Sequence, residues 1–338
     1  MRNEPIRVSL TVFPESDPSI FYGIFDTLWA AGRVWNAMTG EPPPNAPLFL
    51  PRLVAAKAGP IELVTGVTIL AQDAAEDVTA TDLVFVPNVM VDSPAALRRL
   101  DRGLIEWLCR MYDSGAHVYA ACGGSLVLAE AGLLDGREAT THWGYADLFR
   151  KAFPEVRLCA DRILVQAGPG HRIVSSGGAS SWQDLVLYLV AKHVGTQEAI
   201  RLSRIFLYQW HRDGQLPYAS MIQNVTHNDA VIRNQQAWVA SHYERPHIVA
   251  EITRRSGLPC RSFARRFKAA TGYTSIAYVQ ALRIEEAKQM LETTEMAVDA
   301  IGAEIGYSDP TSFHRLFKRL TAMTPAEYRR KFHLPAFL

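Results

Sequence analysis

Apolar and polar positions along the first two hundred residues switch repeatedly between two patterns. Ile6–Phe13 is a short apolar run, which predicts a buried strand. Phe21, Ile24, Phe25 and Leu28 then fall at i, i+3, i+4 and i+7, one face of a helix that Gly32 can stop. Leu83-Val84-Phe85-Val86 predicts a fully apolar strand ending at Pro87, and Leu97–Tyr112 a helix closing before Gly115. His117–Ala121 predicts another buried strand, and Ser125–Ala131 a helix with Gly132 behind it. Ile173-Val174 leads through Ser175-Ser176-Gly177-Gly178 into an apolar helix, Trp182–Val194. Strands alternating with helices predict an α/β fold, a mainly parallel sheet flanked by helices on both faces. From Val231 onward no strand pattern remains, so the rest is expected to be all-α. Residues 208–230 are mixed and polar and carry Gly214 and Pro217. The expected organisation is therefore a domain over 1–207, a linker over 208–230 and a helical domain over 231–338.

The helical part contains an internal repeat. Ile252 and Gly257 recur as Ile301 and Gly306, 49 residues on. Ser262-Phe263-Ala264-Arg265-Arg266-Phe267-Lys268 recurs as Ser312-Phe313-His314-Arg315-Leu316-Phe317-Lys318, 50 residues on, and Thr274 and Tyr278 recur as Thr324 and Tyr328. Each copy reads as helix, turn, helix. Phe263 with Phe267, and Phe313 with Phe317, are four apart and bury together. That leaves Arg261, Ala264, Arg265 and Lys268 in the first copy on the open face. In the second it leaves Pro310, Thr311, His314, Arg315 and Lys318. One helix of such a pair braces while the other enters the major groove. Arginine bridges guanine O6 and N7, and basic neighbours hold phosphates. Tyr278–Glu292 has no Gly or Pro, which suits a rigid connecting helix.

Charge supports this division. Residues 230–338 carry 16 Lys and Arg against 10 Asp and Glu, a net +6, whereas 1–229 carry 19 against 24, a net −5. A basic module on an acidic body points to nucleic acid. Four cysteines in 338 residues (Cys109, Cys122, Cys159 and Cys260) are too few and too scattered for a disulfide framework or a zinc site. No signal-peptide pattern and no run of 18 apolar residues occur, so reduced thiols and a cytoplasmic location away from membranes are expected.

Residues 233–331 resemble the AraC/XylS DNA-binding domain. The segments Gly306-Tyr307-Ser308-Asp309, Ser312–Lys318 and Thr324-Pro325-Ala326-Glu327-Tyr328-Arg329 carry the resemblance. It implies base-facing positions at Arg261, Ala264 and Arg265 in one recognition helix, and at Pro310, Thr311, His314 and Arg315 in the other.

Cys122 closes the strand His117–Ala121 and precedes Gly123-Gly124 and a helix. A cysteine in such a turn sits near a helix N-terminus, which lowers its pKa and exposes it on a sharp elbow. His142, between Thr140-Thr141 and Trp143, could pair with it as a base. The run from Cys122 to Trp143, with Val174–Gly177, resembles the class I glutamine-amidotransferase-like (PfpI-type) superfamily, which implies a flavodoxin-like arrangement of the sheet. Enzymes of that superfamily place a glutamate after the first strand and a glycine pair after the central one. The corresponding positions here are Ile20 and Asn88-Val89, with Glu15 and Asp17 out of register. Without preorganised donors, acyl transfer loses its largest electrostatic contribution.

Together the halves resemble AraC-family regulators with an amidase-like domain. The resemblance implies a homodimeric, sequence-specific regulator of double-stranded DNA, not an enzyme and with no cofactor or metal. An activator would contact RNA polymerase. The expected effector is a small metabolite, an amino acid or a quaternary amine. Its expected site is the carboxyl edge of the sheet, at Asn88, Cys122, Gly123, His142, Trp143, Ser176 and Gly177. The expected DNA-contacting residues are Arg261, Arg265, Lys268, Thr311, His314, Arg315 and Lys318. Two alternatives remain at this stage: a thiol-dependent amidase or hydrolase, and a redox sensor acting through Cys122, each joined to a DNA-binding domain.

Overall fold

The computed structural model describes residues 4–221 and 227–333. The chain forms two compact units, dividing between Gln215 and Leu216. In the first unit seven strands form one sheet. They are β1 (Ile6–Val12), β2 (Phe49–Ala55), β3 (Asp73–Ala74), β4 (Leu83–Val86), β5 (His117–Ala121), β6 (Leu164–Ala167) and β7 (Ile173–Ser176). Their order is β6-β7-β5-β4-β1-β2-β3. All neighbours are parallel except β6, which pairs antiparallel with β7 at one edge.

Side chains alternate across the sheet, as period-2 strands require. Val8, Leu10, Phe85 and Tyr119 face a cluster built with α1 (Pro18–Ala30), α4 (Trp182–His193) and α5 (Thr196–Phe206). Val84, Val86, Val118 and Ala120 face the opposite cluster, closed by α2 (Arg102–Asp113) and α3 (Gly124–Glu130). The helix expected over Leu97–Tyr112 is interrupted. A short turn, Pro94–Leu97, ends, and Asp101, in extended conformation, restarts the chain by accepting the Leu104 N–H at 2.8 Å. β2 escapes the sequence pattern because Pro51 and Arg52 break its apolar run. Pro51 is tolerated because β3 pairs only with Val54 and Ala55, leaving the outer edge open at Pro51.

The second unit is helical, with no strand among its described residues. Its helices are α6 (Ala230–Ala240), α7 (Ile248–Arg255), α8 (Cys260–Thr271), α9 (Ser275–Thr293), α10 (Val298–Glu304), α11 (Pro310–Thr321) and α12 (Pro325–Phe332). The sequence repeat is a structural one: α7, α8 and α9 begin 50 residues before α10, α11 and α12. The turn between the first two helices is four residues in the first copy and five in the second, which accounts for the change of spacing at the glycines. Thr271 Oγ1 and Thr321 Oγ1 each hydrogen-bond the carbonyls four residues back and two residues on. α9 joins the copies, giving Tyr278, Val279 and Leu282 to one core and Ile284, Ala287 and Leu291 to the other.

The expected linker divides between the units. Residues 208–215 pack in the first, where Gln215 is only 2% exposed, because their polar side chains find partners there. Residues 216–221 belong to the second, where Ala219 O accepts from Lys288 Nζ at 2.6 Å. Residues 222–226 of that stretch lie outside the described residues. No helix among the described residues is long and apolar enough to cross a membrane.

Candidate nucleic-acid interface and sensor edge

In both repeats the second helix turns its basic face outward. Arg261, Ala264, Arg265 and Lys268 on α8 are exposed, as are Pro310, Thr311, Arg315 and Lys318 on α11, while Phe263, Phe267, Phe313 and Phe317 are buried. α11 starts at Asp309, whose carboxylate accepts the Thr311 and Ser312 N–H groups at 3.1 and 3.0 Å. His314 differs from the expectation. It is half-buried, and its Nε2 lies 3.0 Å from Asp299 Oδ1 on the bracing helix α10, so its ring is engaged within the repeat. Ion pairing also braces the first repeat: Arg266 Nη2 and Nε meet Asp229 at 2.7 and 2.8 Å, ahead of α6.

At the carboxyl edge of the sheet, Cys122 adopts φ +56°, a left-handed conformation rare outside glycine. Three hydrogen bonds hold it there. Its N–H donates to Ser176 O at 2.9 Å, and its carbonyl accepts from Ser125 Oγ and Thr141 Oγ1 at 2.9 and 3.1 Å. The elbow is thus present, but the thiol environment reverses the expectation. Cys122 is 3% exposed, in the cluster that contains Ile20 and Phe21, and burial pushes its pKa up to about 12. Desolvation outweighs the attraction of a helix N-terminus, which is worth at most about 2 kcal/mol.

The amide after the thiol is taken too. Gly123 N–H donates to Asn88 Oδ1 at 2.9 Å, and Tyr145 OH donates to Val89 O at 3.3 Å. A Cβ on Gly123 would lie 2.5 Å from Asn88 Oδ1 and 2.7 Å from Val89 O, so no space opens at the elbow itself. His142 Nδ1 accepts the Gly144 N–H at 3.0 Å, and burial lowers its pKa, which favours the neutral ring. Among the described residues no hydrogen bond joins His142 to Cys122. Ser176 is buried, with its Oγ lacking a partner.

The sequence reading missed Gln215. Its Oε1 accepts the Trp143 N–H at 3.0 Å, and its Nε2 reaches Thr140, Thr141, Ala160 and Arg162. A Cβ on Gly177 would overlap Gln215 Nε2, so Gln215 joins two of the expected ligand positions, Trp143 and Gly177. His211 in the same segment is anchored by Asp184 of α4, whose Oδ1 accepts the main-chain N–H at 2.9 Å and whose Oδ2 lies 2.6 Å from Nδ1. Gly214 was the available signal: at φ +71° it passes close to Asp161 O. A cavity of about 470 Å³ lies at the opposite edge, by the amino ends of β1, β4 and β5, lined in part by Arg7, Asp82, His117 and Lys192.

Two outward basic helices in tandem on a helical unit, joined in sequence to an α/β unit, define a DNA-binding transcriptional regulator. Residues 252–331 match the helix-turn-helix domain family, and residues 49–192 match the DJ-1/PfpI family. The chain thus carries an AraC-type helix-turn-helix domain and a DJ-1/PfpI domain, the architecture of the HTH-type regulators to which it is similar. It is 29% identical over 295 residues to the HTH-type transcriptional regulator CdhR of Pseudomonas aeruginosa, covering 86% of this chain and 85% of that protein. It is 26% identical over 308 residues to the HTH-type transcriptional regulator GlxA of Rhizobium meliloti, covering 88% and 89%. The crystal structure of a transcriptional regulator protein from Vibrio parahaemolyticus shares the fold with a TM-score of 0.50 and 20% identity, over 61% of this chain and all of that one.

Proposed function

We propose that the chain is a metabolite-responsive regulator whose first unit senses a small polar molecule and whose second unit reads DNA through α8 and α11. The observation that carries the DNA half is the repeated basic face, with Arg261, Arg265, Lys268, Thr311, Arg315 and Lys318 exposed at matching places. His314 takes part only if its contact with Asp299 exchanges. The sensing half rests on the carboxyl edge, where Asn88, Cys122, Gly123, Ser176 and Gly177 lie at or just beyond the ends of β4, β5 and β7, and where His142 and Trp143 sit in the segment that Gln215 and Thr141 tie to them. Parallel sheets collect ligands there.

Catalysis and redox sensing through Cys122 are disfavoured by the same geometry. The thiol is buried and protonated, the adjacent amide is occupied by Asn88, and His142 makes no bond to it. A homodimer that activates transcription through RNA polymerase follows from the resemblance. The test is genomic capture of bound DNA, then fluorescence anisotropy on the captured operator with and without metabolites handled by the enzymes that neighbouring genes encode. A change in operator affinity or promoter output with one metabolite is expected. Captured DNA without a shared motif, or no response to any such metabolite, would overturn the reading.

A further inference from the structure

Gln215 ends the first unit, and Leu216 begins the second. Its buried carboxamide nitrogen faces four oxygens: Thr140 Oγ1 at 3.2 Å, Thr141 O at 2.9 Å, and Ala160 O and Arg162 O at 3.0 Å each. An amide nitrogen carries two hydrogens, so four acceptors exceed what it can donate. Beside them, the Trp143 N–H supplies one donor, to Gln215 Oε1. The Thr140 hydroxyl also donates to Arg162 O at 2.9 Å, so the chain builds a cradle rich in acceptors, with the Trp143 N–H as the donor at its rim, and fills it with its own side chain. The glycine at position 177 is what lets that side chain approach.

We infer that this cradle is the recognition point for an effector whose nitrogen carries two or three hydrogens next to a carbonyl-type oxygen, with Gln215 as its internal stand-in. The inference rests on the proposed sensing role of this edge and narrows its chemistry. Primary carboxamides and α-amino acids share the required pair of groups. A quaternary ammonium has no N–H to offer the four oxygens. Exchange with an effector releases Gln215 from Trp143 while Asp184 still holds His211, so the residues freed are the few that run into Leu216.

The test uses full-length Gln215→Ala, verified as folded by its thermal transition, and calorimetry with acetamide, glycine and glycine betaine as probes. Saturable binding of acetamide or glycine is expected, abolished when Thr140→Val is added. Wild type should bind roughly tenfold or more weakly, since an internal occupant lowers apparent affinity by the fraction of time it is bound. Acetamide alone binding assigns a carboxamide; glycine alone assigns an ammonium beside a carboxylate. Should Gln215→Ala fail to fold, Gln215→Glu sets an anionic oxygen against the four acceptors and should speed tryptic cleavage after the exposed Arg212. No saturable binding by folded Gln215→Ala, equal affinity in wild type, betaine binding as well as glycine, or unchanged cleavage of Gln215→Glu would each overturn the inference. None of these readouts involves DNA. Their failure leaves metabolite-controlled DNA binding standing, whereas cradle binding without any operator response would remove that function alone.

Discussion

At pH 8, a thiol with a pKa of about 12 is ionised in roughly one molecule in 10⁴. Cys122 should therefore resist iodoacetamide in the native protein, while the exposed Cys260 reacts readily. Peptide mass spectrometry after timed labelling reads both, and comparable rates at the two sites would contradict the buried geometry. The elbow itself was legible in the sequence, because an apolar strand running into Cys-Gly-Gly and a helix has few ways to turn. The state of the thiol was not legible. The core around it includes Ile20 and Phe21 of α1, a hundred residues away in the chain. The outward basic residues show the opposite balance, since helical period alone separates buried Phe263 and Phe267 from exposed Arg265. Arg265→Ala or Arg315→Ala should each cost about 1–3 kcal/mol of operator affinity and relax preference at one base pair. Lys318→Ala should weaken binding to every sequence and flatten its salt dependence. Competition assays on single-base operator variants at several salt concentrations distinguish these outcomes.

Equivalent elements in the two repeats respond differently to the same change. Gly257 and Gly306 both end the bracing helix in left-handed conformations, φ +66° and +88°. A Cβ on Gly257 meets nothing within 4 Å, whereas on Gly306 it would overlap Glu244 O. Gly257→Ala should thus cost only the left-handed penalty, about 1–2 kcal/mol, and Gly306→Ala distinctly more, measured by urea unfolding. Asp229 caps α6 and pairs with Arg266, which holds its carboxyl down at about 2 against an ordinary 3.8. A depressed carboxylate stabilises the fold fully above its unfolded value and loses that contribution as pH falls through the folded one. Amide protection factors in α6 and α8, taken against the intrinsic exchange rate at each pH, should fall between about pH 4 and 2 in the wild type. In Asp229→Asn that fall should be smaller, from a lower starting protection. Element boundaries were legible where a cap or glycine marks them. β2 was missed, since an open sheet edge tolerates the Pro51 that breaks its pattern; 208–215 was misread, because its polar residues resemble a linker until Asp184 and the Thr140–Arg162 oxygens are brought beside them.

Reading two DNA segments with one chain requires that the repeats keep a fixed separation. α9 serves both cores, and 19 residues of helix span about 28 Å, comparable to the roughly 34 Å between successive major grooves. A second tie reinforces the helix. Arg283, where α9 passes from one core to the other, donates to Tyr243 O at 2.7 Å, Arg245 O at 2.9 Å and Gly306 O at 3.1 Å. Its guanidinium also lies 5.2 Å from the centre of the Tyr307 ring. One side chain thereby joins the 243–245 segment, which follows α6, to the turn that aims α11. Arg283 touches neither recognition helix's outer face, so Arg283→Ala should leave recognition of each half-site in place while loosening their spacing. The expected result is weaker binding to the full operator and nearly unchanged affinity for an isolated half-site. Tolerance of one or two inserted base pairs between the halves should rise. Hydroxyl-radical footprints of the wild type should show two protected segments per chain, one helical turn apart. Equal losses on full and half operators would assign Arg283 to stability alone, and a single protected groove per chain would show that the second repeat does not engage DNA.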